Sequence, residues 1–140
     1  MLIARGWTVG LAESVTGGLV ASRCVAVPGA STWFRGGVVS YATDVKQRVL
    51  GVAEGPVVSG AAALAMARGA RSVFGADVGV AITGVAGPTE QDGQPVGTVF
   101  VGLVTPEGEH SEQLLLPGDR ERVRNFSAIS AMDFVRRSLA

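Results

Sequence analysis

Thr8-Val9-Gly10-Leu11-Ala12-Glu13-Ser14-Val15-Thr16-Gly17-Gly18-Leu19 decides the fold. An apolar, strand-like run stops at a lone serine, and a helix-like run from Leu19 to Val25 starts behind two glycines. The serine therefore falls on a strand-to-helix connection. Gly17 and Gly18 leave backbone N–H groups uncovered by side chains where a helix begins, and the partial positive charge there favours an oxyanion or a phosphate. Ser14 or Thr16 acting only as a helix cap, with glycines that only permit the turn, accounts for the same string equally well.

Beyond this unit the helix ends at Val27-Pro28-Gly29-Ala30, and Gly36 to Tyr41 supplies a second strand. Ala42 to Leu50 reads as helical, Gly51 to Pro56 as a linker, and Gly60 to Phe74 as a helix with Ser59 as its N-cap. Ala76 to Ile82 is a third strand; its lack of alternation at Val80 to Ile82 implies a central strand covered on both faces. Thr83 to Gln94 is a polar loop too long for a plain hairpin turn, and such loops often carry function. Val96 to Val104 and Ser111 to Leu116 form a hairpin joined at Pro106 to His110. The last helix, Arg120 to Leu139, places Val123, Phe126, Ile129, Met132, Phe134 and Val135 on one apolar face. Strands alternating with helices, plus one hairpin, predict an α/β fold: a three-layer α/β/α sandwich with a mixed, mainly parallel sheet. Residues 1–140 make a single domain, too short to divide.

Composition narrows the function. The chain is 47 % hydrophobic with a formal net charge of zero, which gives no electrostatic case for nucleic acid. No apolar run approaches the roughly 18 residues of a membrane span and no signal peptide is evident, so the expected location is the cytoplasm, with no membrane partner. One cysteine and one histidine cannot assemble a zinc site of the usual ligand count, and no metal or cofactor is expected. His110, in Pro106-Glu107-Gly108-Glu109-His110, reads as a solvated loop histidine rather than a catalytic one.

In a sheet of this class, ligands sit beyond the carboxyl ends of the parallel strands. Three predicted strand ends carry polar groups: Glu13-Ser14, Ser40-Tyr41 and Thr83-Gly84. If they converge, two hydroxyls and a phenol surround the turn at Gly17, and what is missing is a base. Lys46 is the candidate. It is the only lysine, the other eleven basic residues being arginines, which cannot act as bases near neutral pH. A lysine buried beside a serine can lose its charge by desolvation and accept the hydroxyl proton, although a solvated surface lysine is the commoner fate.

Taken in order, a set of blocks resembles the CinA C-terminal domain family, whose stand-alone members include bacterial nicotinamide mononucleotide amidohydrolases. The blocks are Ala12 to Gly18, Val27 to Ser31, Phe34 to Tyr41, Lys46 with Leu50-Gly51-Val52, Ala65-Met66-Ala67, Ala81 to Pro88, Pro95 to Val99 and Pro117 to Arg120. The resemblance implies hydrolysis of the nicotinamide mononucleotide carboxamide to nicotinate mononucleotide and ammonia, without metal or cofactor. It implies Ser14 as nucleophile and Lys46 as base, with amides near Thr16, Gly17 and Gly18 holding the oxyanion. Arg120 would grip the phosphate or polarise the carbonyl, or else pair with Asp119 or Glu121. Thr83 and Gly84 would border the pocket, and Tyr41 would form a wall or relay a proton. A homo-oligomer is implied as well, in keeping with the exposed hairpin and the apolar last helix.

Three departures stand out. Val15 occupies a position where the family commonly has cysteine, the loop Thr89 to Gln94 lacks the usual glycine-rich run ending in lysine, and the segment before Thr8 reads as a shortened first helix. The resemblance covers only the C-terminal domain of full-length CinA proteins, so the activities of the nucleotide-binding domain that precedes it there do not carry over. The competing reading is a non-catalytic nucleotide-binding or interaction domain linked to competence and DNA damage. The presence of Ser14, Thr16, Gly17, Gly18 and Lys46 together favours the enzyme.

Overall fold

In the computed structural model, which describes residues 1–140, the first strand forms as β1, Val9–Glu13, with every residue buried. It lies between two parallel neighbours, β2 (Phe34–Val39) and β3 (Val78–Gly84). Continuous burial along β1 and β3 is what central strands covered on both faces require. On the far side of β3, β4 (Thr98–Thr105) pairs antiparallel, and β5 (Gly108–Leu115) returns antiparallel to β4. The sheet order is β2-β1-β3-β4-β5, a mixed sheet in which only β4 runs against the rest.

Alternate residues of the strands feed two separate cores, because successive side chains on a strand point to opposite faces. Val9, Leu11, Val80, Ile82, Val101 and Leu103 meet α2 (Leu19–Val25) and α5 (Arg120–Ser138) through Val20, Val123, Ala128 and Phe134. Ala12, Ala81 and Val104 face the other way, against Met66, Ala67 and Ala70 of α4 (Gly60–Phe74) and Leu50 at the end of α3 (Thr43–Leu50). Ser59 caps α4, its hydroxyl accepting the Ala62 N–H at 3.0 Å. A short α1 (Leu2–Arg5) precedes β1. No helix is long and apolar enough to cross a membrane.

Two expectations need correction. Residues Phe126, Ile129 and Met132 do not face the core; they are exposed, and α5 buries Val123, Ser127, Ala128, Ala131 and Phe134 instead. A spacing of three loses about 60° per step against a 3.6-residue turn, so by Met132 the row has swung to the side opposite Val123. Ser127, Ala128 and Ala131 fill the inner face between Val123 and Phe134. The hairpin connection is also tighter than expected. Only Pro106 and Glu107 lie between β4 and β5, so His110 sits within β5 opposite Leu103, still exposed to solvent.

Candidate active site

β1 delivers Ser14, β3 delivers Thr83 and Gly84, and the connection from β2 to α3 delivers Tyr41, all to one cavity of about 360 Å³ at the carboxyl ends of β1 and β3. Lys46 from α3, Arg120 from the start of α5, and Thr89, Glu90 and Gln91 from the loop after β3 add to its polar lining. Ser40, next to Tyr41, is fully buried outside the lining, and its hydroxyl has no hydrogen-bond partner.

Lys46 is 2 % exposed. Its Nζ donates to the Tyr41 carbonyl at 3.1 Å, and it takes part in none of the chain's ion pairs. Burial pushes its pKa below the ordinary lysine value, and the charge of Asp92 offsets only part of that shift. A buried ammonium without a carboxylate partner is costly, and release of the proton is the usual relief. The lysine lines the same cavity as Ser14, with its charged form disfavoured by burial.

The turn after Ser14 is built differently from the sequence-based expectation. The Gly17 N–H donates to the Ser14 carbonyl at 3.0 Å, and the Gly18 N–H to Glu13 Oε1 at 3.2 Å. Glu13, buried at the end of β1, also accepts the Val20 N–H on Oε1 and the Ala21 N–H on Oε2, each at 2.9 Å. The start of α2 thus already has its anion, supplied by the chain, and of the residues that follow Ser14 only Val15 lines the cavity, not Thr16, Gly17 or Gly18. The amides left without an acceptor in the chain are those of Val15 and Thr16, directly after the serine. Arg124 orients the second of them from α5, its Nε donating to the Val15 carbonyl at 3.1 Å and a terminal nitrogen to the Thr16 carbonyl at 3.3 Å. In a trans peptide the N–H points opposite to the C=O, so a fixed Val15 carbonyl fixes the direction of the Thr16 N–H. The Thr16 hydroxyl is fully buried and has no partner.

Two further side chains are committed within the protein. Thr83 donates its hydroxyl to the Val57 carbonyl at 2.7 Å, which makes it a strut of the cavity wall. Arg120 pairs with neither Asp119 nor Glu121. Its guanidinium donates to the Tyr41 hydroxyl at 2.6 Å and to the Gly87 carbonyl, joining α5, the β2–α3 connection and the loop after β3 at the cavity's rim. No group of three or more His, Cys, Asp or Glu side chains is placed to hold a metal.

Sequence reasoning placed Glu13 at a strand end without its role as the α2 anion, and overlooked Arg124, the Val57-Val58 wall and Asp92. Glu13 was visible as an acid at the end of an apolar strand, five residues before the helix start. Asp92-Gly93 is a strong signal for a tight turn, hidden inside what read as a plain polar loop. Arg124 offers no sequence signal, since only the docking of α5 brings it to the serine turn.

The profile of the CinA C-terminal domain matches residues 1–139. The chain belongs to the CinA C-terminal domain family. Among curated CinA-like proteins it is 52 % identical over 145 residues to one from Frankia casuarinae and 46 % identical over 140 residues to one from Geobacter metallireducens, covering 34 % of each. The chain spans about a third of the length of these relatives. Among solved structures, it superposes on the competence damage-inducible protein A of Klebsiella pneumoniae with a TM-score of 0.94 at 32 % identity, covering 99 % of this chain and 89 % of that one. A competence/damage inducible protein from Agrobacterium tumefaciens gives 0.90 at 30 % identity, with 97 % and 87 % covered. The mixed sheet and its flanking helices are thus the CinA fold, and the serine turn and the buried lysine stand at the strand ends of that fold.

Proposed function

We propose that this CinA domain is an amidohydrolase acting on a carboxamide carried by a pyridine nucleotide, with nicotinamide mononucleotide as its substrate. The observation that carries this reading is Lys46: the chain's only lysine, buried without a carboxylate, lining the same cavity as Ser14. Ser14 Oγ attacks the amide carbon as the neutral Lys46 amine accepts its proton. The carbonyl oxygen becomes an oxyanion facing the unpaired amides of Val15 and Thr16, which take the place of Gly17 and Gly18 as donors. The tetrahedral intermediate collapses by breaking the C–N bond, and Lys46 returns the proton so that ammonia leaves. Water, deprotonated by the same amine, then attacks the serine ester and yields the nicotinate nucleotide. Arg120 at the rim is the cation for the phosphate.

The test is ammonia release from nicotinamide mononucleotide by purified protein in the presence of a chelator. Wild type should turn over, and Ser14→Ala and Lys46→Ala should each lose about 10³-fold or more in kcat/KM, as removal of a nucleophile or its base does elsewhere. Activity that survives Ser14→Ala refutes the mechanism. A folded wild type that binds the nucleotide and releases no ammonia belongs to the non-catalytic nucleotide-binding class.

A further inference from the structure

Asp92 lies outside every helix and strand and is exposed. Its carboxylate nevertheless accepts two consecutive amides from a distant segment: Val57 N–H at 2.8 Å and Val58 N–H at 3.1 Å, both on Oδ2. Both valines are buried and line the cavity. The carbonyl of the same Val57–Val58 peptide accepts the Thr83 hydroxyl, so this peptide is gripped at both ends, by β3 on one side and by Asp92 on the other. The turn that presents Asp92 is well formed. Gln91 and Gln94 exchange backbone hydrogen bonds of 3.3 and 2.8 Å, with Asp92 and Gly93 at φ of 52° and 71°, the Asp-Gly arrangement of a tight hairpin turn. Glu90 and Gln91, which lead into the turn, line the cavity. Asp92 is also the acidic group whose charge acts on Lys46. The other titratable or charged groups at the cavity are Tyr41 before α3, Glu90 on the same loop and Arg120 on α5. Glu13 on β1 is occupied by the α2 amides, Asp44 and Arg48 on α3 pair with each other at the surface, and Arg68 and Arg71 of α4 border a separate cleft.

We propose that Asp92 is a positioning residue for this cavity, latching the loop of residues 85–94 to Val57-Val58. The proposal rests on the cavity being the reactive site. Charge-assisted bonds to two buried amides are stronger than neutral ones, and they hold in place the wall against which the substrate must be oriented.

Two substitutions separate the acceptor from its charge. Asp92→Gly keeps the turn, since glycine accepts positive φ, and deletes the carboxylate; Asp92→Asn keeps the turn and an acceptor oxygen and deletes the charge. Two readouts need no substrate: hydrogen exchange at the Val57 and Val58 amides, and the NMR titration of the lysine ¹³Cε, a single resonance because the chain has one lysine. In Asp92→Gly the two amides should exchange about tenfold faster or more. The Lys46 midpoint should fall in both variants, because the charge that raises it is gone. Exchange in Asp92→Asn should rise as well, by less than in Asp92→Gly, because the acceptor oxygen stays and only the charge assistance is lost. With nicotinamide mononucleotide, KM in Asp92→Gly should rise several-fold more than kcat changes. Unchanged exchange at the Val57 and Val58 amides in Asp92→Gly would overturn the latch. If Asp92→Gly does not fold, exchange at Val57 and Val58 no faster than wild type in Asp92→Asn overturns the latch. A wild type without amidase activity whose variants still exchange faster at the two amides would remove the amidase reading and leave the latch standing.

Discussion

Glu13 and Ser14 are adjacent in the chain and do opposite things. Glu13 turns back to hold three amides at the start of α2, while Ser14 presents its hydroxyl to the cavity with the next two amides left free. The acid makes the free serine turn possible, because the helix start that would otherwise compete for an anion is already satisfied. Glu13→Gln puts an NH₂ group against backbone N–H donors, so one donor loses its acceptor and the others lose a charged one. The expected loss is about 2–3 kcal/mol of stability, read as a lower urea midpoint at constant m-value. Activity per folded molecule should fall as well, since the start of α2 anchors the turn. Legibility at this scale was uneven. Lys46 and Tyr41 stood out as the only lysine and the only tyrosine, Ser14, one of ten serines, by its place at a strand end, and Arg120, one of eleven arginines, only through the family resemblance. Gly17 and Gly18 were misjudged because a glycine shows that an amide is accessible, not which acceptor reaches it first.

α4 lies on the sheet at backbone distance, and glycines make that possible. A Cβ at Gly79 on β3 would stand 1.9 Å from the Ala67 carbonyl oxygen of α4, and one at Gly102 on β4 would stand 2.4 Å from the Ala63 carbonyl oxygen. Neither obstacle is a flexible side chain, so the helix must lift or bend to admit a methyl group. Gly79→Ala is expected to cost about 3 kcal/mol, at the upper end of overpacking, measured by thermal or urea unfolding. Because α4 starts directly after the Val57-Val58 wall, the same change should raise KM for the nucleotide. Element positions were largely legible: apolar runs bounded by glycine, proline and capping serine gave β1, β3, α4 and the hairpin within a few residues. The inner face of α5 was not. Its buried residues are mainly alanine and serine, which carry little hydrophobic signal, while the larger Phe126, Ile129 and Met132 face solvent. Small residues on a buried face look unremarkable in a pattern search weighted by hydrophobicity.

Across the whole molecule, unfavourable features gather at one end. The two cores flanking the sheet are apolar and closely packed, whereas the carboxyl ends of the strands hold an unpaired buried lysine and the partnerless hydroxyls of Thr16 and Ser40. A fold that tolerates this arrangement gives up stability at the place where chemistry needs it. For Lys46 the pH dependence has a definite sign. Its folded pKa lies below the ordinary value of 10.5, so between the two values the unfolded chain binds more protons than the folded one, and stability must rise with pH across that window. Below the folded pKa the penalty is complete; above about pH 10.5 it is gone. Lys46→Met fills the same space without a titrating group. Its melting temperature should exceed that of wild type at neutral and acidic pH, with the gap narrowing steadily toward pH 10.5, while amide hydrolysis is lost. Comparing the two proteins at each pH cancels every other titrating group. A gap that stays constant with pH would mean that Lys46 keeps its ordinary pKa in the folded state, and the neutral amine required for attack by Ser14 would then be scarce at physiological pH.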